Sequence, residues 1–247
     1  MISSNNVPGG LANQMFQYAA GYAHAKRMGT EFFYPVKPIG EDKRSPNLHD
    51  IFHLTASQTG QHGPLYDDVP TGFHYTPIPE CDHMTLNGYF QSAKYFKECE
   101  EEIRKEFTFR NPTNLIVPKG TVSVHVRRSD YLKFPNHHPL CSMEYYRTAM
   151  AKFEGYNFLV LSDDREWCAK WFDLPNTVIS KAHSAQEDLQ LMSKCDHHIM
   201  ANSSFSWWGA WLNTQEGKRV IIPEKWFGSA YNRWDTSDLY HPSWEKL

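Results

Sequence analysis

The chain has 247 residues, of which 25 are lysine or arginine and 28 are aspartate or glutamate, giving a formal net charge of −3. This balance excludes a protein that coats a polyanion through bulk positive charge, so we expect no nucleic-acid partner. Recognition of a phosphate must therefore depend on a few individually positioned residues and not on net charge. A chain of this length buries enough surface to fold without disulfides or a structural metal.

Cysteine usage and hydropathy indicate the compartment. No apolar run approaches the roughly 18–20 residues that span a bilayer, and the N-terminus lacks the basic-then-apolar pattern of a signal peptide. The five cysteines are odd in number and include no CxxC pair, which favours free thiols over a disulfide framework or a zinc site. We therefore expect a cytoplasmic globular protein without a transmembrane segment; the sequence leaves its oligomeric state open.

The first half opens on GGLANQ and a helix whose apolar residues recur every three to four positions from Leu11 to Ala25. A loop-rich stretch covers about 35–84, and the segment NGYFQSAKYF then leads into a charged helix that ends near Phe107. The proline- and glycine-containing segment 109–120 is typical of a linker. The sequence therefore predicts two lobes, 1–115 and 116–247.

Short apolar runs alternate with helical patterns in the second half. The predicted helices are 142–155, 165–172, 185–195 and 204–213, and the predicted strands are 121–126, 157–161, 177–180, 197–201 and 219–222. This alternation predicts a parallel sheet built from βαβ units. Ligands bind beyond the carboxyl ends of such strands, so we expect chemistry just after residues 126, 161 and 201.

The first strand end carries the motif VHVRRSDYL, which includes His125, Arg127, Arg128 and Asp130. Paired arginines suit a phosphate because each guanidinium offers a planar, permanently charged fork of donors. The plainer alternative is a surface ion pair between Arg128 and Asp130.

The second strand end carries Asp163 and Asp164. Two adjacent carboxylates can ligate a divalent metal, or one can accept hydrogen bonds from a guanine edge. One of them can also serve only as the N-cap of the following helix.

At the third strand end, Ser203, Ser204 and Phe205 lead into a helix, and helix N-termini are natural diphosphate sites. Alternatively, Ser203 only caps that helix. We expect the tryptophans that follow, at 207, 208 and 211, to be mostly core in either case.

Two further groups complete the candidates. Gly9 and Gly10 permit close backbone approach to a ligand, and the nearby Asn13 can reach a sugar hydroxyl, although a plain turn uses the same residues. His197 and His198 are metal-ligand types, but successive strand residues point to opposite faces, so we expect no shared ion there.

Taken in order, GGLANQMFQYA, NGYFQSAKYF, VHVRRSDY, LVLSDD and LMSKC…ANSSFSWWGAWL strongly resemble the bacterial α-1,2-fucosyltransferases, which share motifs with α-1,6- and protein O-fucosyltransferases. The resemblance covers residues 9 to about 226. It implies an α/β GT-B fold of two Rossmann-like lobes with an interlobe cleft, an acceptor-side lobe at 1–115 and a GDP-fucose lobe at 116–247. It also implies inverting, metal-independent transfer of L-fucose from GDP-β-L-fucose, a substrate and not a cofactor, to the 2-hydroxyl of a galactose-terminated glycan.

Carried over by position, the resemblance gives His125 and Asp163 a role at the guanine and puts Arg127 on the β-phosphate. It surrounds the diphosphate and base with Ser203, Ser204 and Phe205, and it places Gly10 and Asn13 at the donor, with Asn13 near the fucose. The acceptor hydroxyl needs a base, for which Asp130 is our candidate; Asp130 can equally orient an arginine.

Two departures from the family pattern are notable. Ala12 stands where a third glycine is usual, and the polar ISSNNVP replaces the usual apolar first strand, so we expect that strand to be absent and the N-terminal lobe reduced. Two rival functions remain: a metal-dependent nucleotide-sugar glycosyltransferase using Asp163 and Asp164, and a non-catalytic carbohydrate-binding module using exposed tryptophans.

Overall fold

The computed structural model describes residues 1–5, 9–36, 47–68 and 73–247. The chain forms two compact units, one of Met1–Asn111 with Trp234–His241 and one of Pro112–Arg233 with Pro242–Leu247. Each unit contains a parallel β-sheet, which confirms the α/β class. Within the described ranges, no helix has the length and apolar character needed to cross a membrane.

The first unit contains a four-stranded sheet in the order β2-β1-β4-β3. Its strands are β1 (Ile2–Ser4), β2 (Phe32–Phe33), β3 (Leu65–Asp67) and β4 (Met84–Asn87), and its helices are α1 (Leu11–Arg27), α2 (Leu48–Ile51) and α3 (Glu100–Glu106). All three strand pairings are parallel.

The expectation that the first strand is absent is wrong. β1 lies inside the sheet between β2 and β4, and all three of its residues are buried. The strand tolerates serines there because Ser3 Oγ hydrogen-bonds Thr85 Oγ1 of β4 at 2.8 Å, so the buried hydroxyls satisfy one another. A hydrophobic pattern cannot reveal a strand whose buried groups are polar but paired.

Ala12, the residue that departs from the family pattern, lies in the first turn of α1 and is buried. Alanine is favoured over glycine inside a helix by about 1 kcal/mol, so the departure suits the helix. The chain enters α1 at Gly10, whose backbone is extended with φ −70°.

The second unit contains a six-stranded sheet in the order β10-β9-β8-β5-β6-β7. Its strands are β5 (Thr121–Val126), β6 (Asn157–Ser162), β7 (Thr177–Ile179), β8 (His197–Ile199), β9 (Val220–Ile222) and β10 (Glu245–Lys246), and its helices are α4 (Met143–Ala151), α5 (Arg165–Trp171), α6 (Ala185–Ser193) and α7 (Ser204–Leu212). The five predicted strands are confirmed. β10 is a two-residue strand that carries no pattern in the sequence.

The order of this sheet fixes where a ligand can lie. The chain runs outward from β5 through β6 to β7 and then returns to the other side of β5 as β8. The direction of winding therefore reverses between β5 and β8, which leaves a crevice at their carboxyl ends. Val122, Val124 and Val126 of β5 are buried within the core of this unit.

The two adjacent histidines of β8 have separate structural roles. His198 is buried; its Nδ1 lies 2.8 Å from Ser123 Oγ, and its Nε2 lies 2.8 Å from Asn213 Nδ2. His197 instead hydrogen-bonds the Tyr156 hydroxyl at 3.1 Å. The two rings have different partners, as their alternation along the strand predicts.

Burial lowers the pKa of His198 from 6.5 to about 3, so we expect acid to destabilise the fold through this residue. The unfolded chain takes up a proton on His198 near pH 6.5, whereas the folded chain stays neutral there until about pH 3. This contribution is complete above pH 6.5 and falls by about 2 kcal/mol by pH 5. Urea denaturation of wild type and His198→Gln at pH 7.5 and pH 5 measures it. Equal pH dependence in the two proteins would contradict the assignment.

Candidate functional site

Three strand ends of the second unit lie side by side in the order β8, β5 and β6. The register pairs Val126 of β5 with Ser162 of β6 and Val124 of β5 with Ile199 of β8. The predicted motifs after residues 126, 161 and 201 therefore share one edge of the sheet.

Arg127 leaves the end of β5 and makes ion pairs with two carboxylates. Its Nη2 lies 2.8 Å from Asp130 Oδ1, and its Nη1 lies 3.2 Å from Asp163 Oδ2. Burial favours a lower pKa for this guanidinium, but the charges of Asp163 and Asp130 outweigh burial and raise its pKa. One third of the side chain is exposed, so this permanently charged residue is partly accessible at the carboxyl edge of the sheet.

Asp163 fixes the chain that follows β5. Its Oδ1 accepts the backbone N–H of Arg128 at 2.9 Å, and its Oδ2 accepts the backbone N–H of Ser129 at 3.1 Å. The Ser129 hydroxyl in turn donates to the Asp163 carbonyl at 3.1 Å. One carboxylate thus shapes the turn that presents Arg127.

The second arginine has a different partner. Arg128 Nε donates to Asp164 Oδ2 at 3.0 Å, and its guanidinium lies 3.9 Å from the centre of the Trp167 ring. Asp164 also caps α5, because its Oδ1 accepts the Trp167 N–H at 3.1 Å. The alternative of an Arg128–Asp130 pair is wrong: Asp130 pairs with Arg127.

His125 is the last but one residue of β5, and its side chain is only 5% exposed. Burial, and then the charge of Arg127, lower its pKa to about 3, so the ring is neutral at physiological pH. Its buried Nδ1 has no hydrogen-bond partner among the described residues. The ring centre lies 5.5 Å from that of Phe205, with a tilt of 40°.

The start of α7 completes this edge. Ser203 is the N-cap, and its side chain accepts the Phe205 N–H at 3.3 Å. Ser204 and Phe205 are partly exposed, whereas the three tryptophans that follow are buried, as expected: Trp207, Trp208 and Trp211.

Sequence reasoning missed two residues that join the strand ends. The Tyr131 hydroxyl donates to the Asn202 carbonyl at 2.9 Å, linking the turn after β5 to the loop after β8, and its ring lies 5.6 Å from the Arg127 guanidinium. Asn202 is buried, and its Nδ2 donates to the carbonyls of Pro139 and Trp226 at 3.0 and 2.8 Å. The residue types alone carry no signal of these long-range contacts.

Of the predicted site residues, Gly10 and Asn13 belong to the first unit. Asn13 lies on α1, is partly exposed, and accepts a hydrogen bond at Oδ1 from Gln91 Nε2 at 2.9 Å. The others lie in the second unit, where ion pairs join Arg127 to Asp130 and Asp163 and a ring contact joins His125 to Phe205.

The model of glycosyl transferase family 11 matches residues 4–247. The chain belongs to that family. This membership confirms the resemblance described above and makes the protein a glycosyltransferase, which excludes a non-catalytic carbohydrate-binding module.

Several curated relatives align with most of this glycosyltransferase. An alpha-1,2-colitosyltransferase of Escherichia coli is 30% identical, covering 90% of this chain and 91% of that protein. The O-antigen biosynthesis glycosyltransferase WbnK of Escherichia coli is 28% identical, with coverage of 98% and 99%. The galactoside alpha-(1,2)-fucosyltransferase 1 of Sus scrofa is also 28% identical, with coverage of 83% and 63%.

Solved structures show the same fold. NodZ alpha-1,6-fucosyltransferase, soaked with GDP-fucose, superposes with a TM-score of 0.58 at 13% identity, covering 90% of this chain and 94% of that one. POFUT1 in complex with GDP gives a TM-score of 0.55 at 11% identity, with coverage of 90% and 97%.

We expect Asp163→Asn to lower the free energy of unfolding by about 1–3 kcal/mol. The amide nitrogen cannot accept, so one of the backbone N–H groups of Arg128 and Ser129 loses its partner. Urea denaturation at pH 7.5 measures the loss. The control is Asp173→Asn, at an exposed position whose side chain makes no hydrogen bond to any described residue, with an expected change within about 0.5 kcal/mol. Equal effects of the two substitutions would contradict the role of Asp163.

Proposed function

We propose that this glycosyltransferase moves L-fucose from GDP-β-L-fucose to the 2-hydroxyl of a galactose-terminated glycan, with inversion at the anomeric carbon. The observation that carries the proposal is the fixed charge of Arg127 at the carboxyl end of β5, beside the reversal of the sheet. A relative that is named a galactoside alpha-(1,2)-fucosyltransferase supports the proposed donor sugar and linkage.

The negative charge of the leaving group explains why hydrogen-bond donors are needed at this edge of the sheet. When the bond between fucose C1 and the phosphate oxygen breaks, negative charge builds on the β-phosphate of GDP. Arg127 supplies a preorganised guanidinium for that charge, and the N–H groups at the start of α7, around Ser203 and Ser204, supply further donors. Removing one such donor costs roughly 10²–10³ in rate in comparable sites.

The guanine base fits the groups beside Arg127. His125 is neutral and buried, and its unpartnered Nδ1 is a site for one hydrogen bond to the base. Phe205 offers an aromatic ring 5.5 Å away, suited to contact with a planar base. Asp163 is the proposed acceptor for the N–H groups of the guanine edge. Each of its oxygens already accepts one backbone N–H, so the guanine would donate to the second lone pair of an oxygen.

Metal-independent transfer is part of the proposal. The oxygens of Asp163 and Asp164 accept from backbone amides and from arginines, so binding a cation there would displace donors that shape the loop. Arg127 and the α7 amides can balance the leaving charge instead. The reaction then needs no cofactor, since GDP-fucose is consumed as a substrate.

The remaining expectations follow the family pattern. We propose a GT-B arrangement in which residues 1–115 form the acceptor-side lobe and 116–247 the donor lobe, with Gly10 and Asn13 contributing at the donor sugar. We propose the cytoplasm as its compartment, which suits the five free cysteines of the structure.

A donor assay tests the function. We expect turnover of GDP-fucose with a β-galactoside acceptor, undiminished by excess EDTA, and an α-fucosyl product by NMR. UDP-sugars should give none. One relative is named a colitosyltransferase, and colitose is the 3-deoxy counterpart of fucose. GDP-colitose is therefore the competing donor to include in the assay.

Arg127→Ala is the matched variant for this assay, and we expect it to lose roughly 10²–10³ in turnover. Turnover with UDP-sugars or with GDP-colitose, but not with GDP-fucose, would contradict the proposed donor. A retained β-fucosyl configuration would contradict inversion, and loss of activity in EDTA with recovery in manganese would contradict metal independence.

Asp130 is the proposed general base or, alternatively, the residue that orients Arg127. Its contact with Arg127 Nη2 at 2.8 Å favours an orienting role, so Asp130→Asn should weaken GDP binding and turnover together. Calorimetry of GDP binding beside turnover measures both. Intact GDP affinity with most turnover lost would instead make Asp130 the general base. Near-normal values of both would exclude either role.

A further inference from the structure

The sheet of the first unit also has strands on both sides of its first strand, with β2 on one side and β4 and β3 on the other. β1 lies between β2 and β4, and the register pairs Ser4 of β1 with Leu86 of β4. The carboxyl ends of β1 and β4 are therefore neighbours, and the residues after them are placed where such sheets bind ligands. Those residues are the start of α1 and the segment Gly88–Gln91.

Asn13 and Gln91 meet at this edge, although 78 residues separate them in the chain. Gln91 Nε2 donates to Asn13 Oδ1 at 2.9 Å, and Gln91 is only 7% exposed. An amide side chain has an oxygen that accepts and a nitrogen that donates. A donor fixed on the oxygen therefore decides which way the nitrogen points.

We infer that Gln91 is a positioning residue that orients the Asn13 amide so that its Nδ2 donates to an oxygen of the nucleotide sugar. The inference rests on the proposed function, in which Asn13 contacts the donor. It gives a role to the NGYFQS segment, which has none in the proposed function described above.

Gly9 provides the space for this orientation. A Cβ built on Gly9 would lie 2.8 Å from Asn13 Nδ2 and 2.9 Å from Asn13 Cβ, closer than real side chains approach. The Asn13 amide is thus bracketed by Gln91 at its oxygen and by the bare backbone of Gly9 beside its nitrogen.

The segment that carries Gln91 has an unusual backbone. Phe90 adopts a left-handed conformation with φ +48°, which side chains of its size rarely occupy. Its ring is buried and packs edge-to-face on Tyr95 at 5.2 Å, which holds the residue in place. At Gly88, a Cβ would lie 2.5 Å from Asp68 Cβ, so only glycine fits. Strain maintained by packing next to a candidate site is typical of a functional constraint.

A double-mutant cycle tests the inference with wild type, Gln91→Met, Asn13→Ala and the double variant. Methionine keeps the length of the side chain and removes its donor. We expect Gln91→Met to lower kcat/KM for GDP-fucose about 10-fold, the scale of one hydrogen bond. In the Asn13→Ala background, the same substitution should change kcat/KM less than 2-fold, because its effect acts through Asn13.

Ser92→Ala is the control for local destabilisation. Ser92 Oγ accepts the Lys94 N–H at 3.3 Å, so its removal weakens the same segment without touching Asn13. It should lower the melting temperature and leave kcat/KM within 2-fold. Equal losses of kcat/KM in Ser92→Ala and Gln91→Met, or a full 10-fold loss from Gln91→Met in the Asn13→Ala background, would overturn the inference.

Thermal unfolding of the same four proteins separates this inference from the proposed function. The melting-temperature shifts of Gln91→Met and Asn13→Ala should be non-additive because the two side chains share a hydrogen bond. If wild type does not turn over GDP-fucose, the proposed function fails, whatever the shifts show. If the shifts add, the hydrogen bond is not made in solution and the inference fails, whatever the donor.

Discussion

The candidate site depends on one carboxylate. Asp163 receives the backbone N–H groups of Arg128 and Ser129 and forms an ion pair with Arg127. Backbone groups that leave a strand end lose their ladder partners and need others. By supplying them from the position just after β6, Asp163 fixes both the path of the chain after β5 and the position of Arg127. A residue expected to contact a ligand therefore also builds the turn that presents Arg127.

The neighbouring contacts give the two arginines different structural roles. Arg128 is fixed between Asp164 and the face of Trp167, which makes it part of the scaffold. Arg127 keeps one third of its side chain exposed, with the Tyr131 ring beside it. The hydrogen bond from Tyr131 to the Asn202 carbonyl ties this turn to the loop before α7. Contacts within the protein thereby fix the donors that follow two strands, and electrostatic stabilisation of a leaving group depends on donors fixed in this way.

Sequence patterns predicted the second sheet well because its strands are apolar and separated by regular helices. TVSVHV, at 121–126, is a strand with the predicted bounds, and the candidate residues of the second unit lie at or after the ends of β5, β6 and β8. The first strand was missed because its buried serine is satisfied by Thr85, a partner 82 residues away. The same limit applies to the pairing of the arginines and to the Asn13–Gln91 contact. Residue types nominate candidates, whereas hydrogen-bond partners depend on which strands become neighbours.

The tryptophans of α7 have a consequence for the thermodynamics of binding. Trp207 and Trp208 are fully buried, and Trp207 stacks on Trp211 with a ring separation of 6.1 Å. This packing immobilises the helix when the protein folds, so its first N–H groups have little conformational entropy left to lose on binding the proposed diphosphate. A substitution that loosens the cluster would weaken this proposed binding entropically, at a distance from the diphosphate and without removing a contact to it.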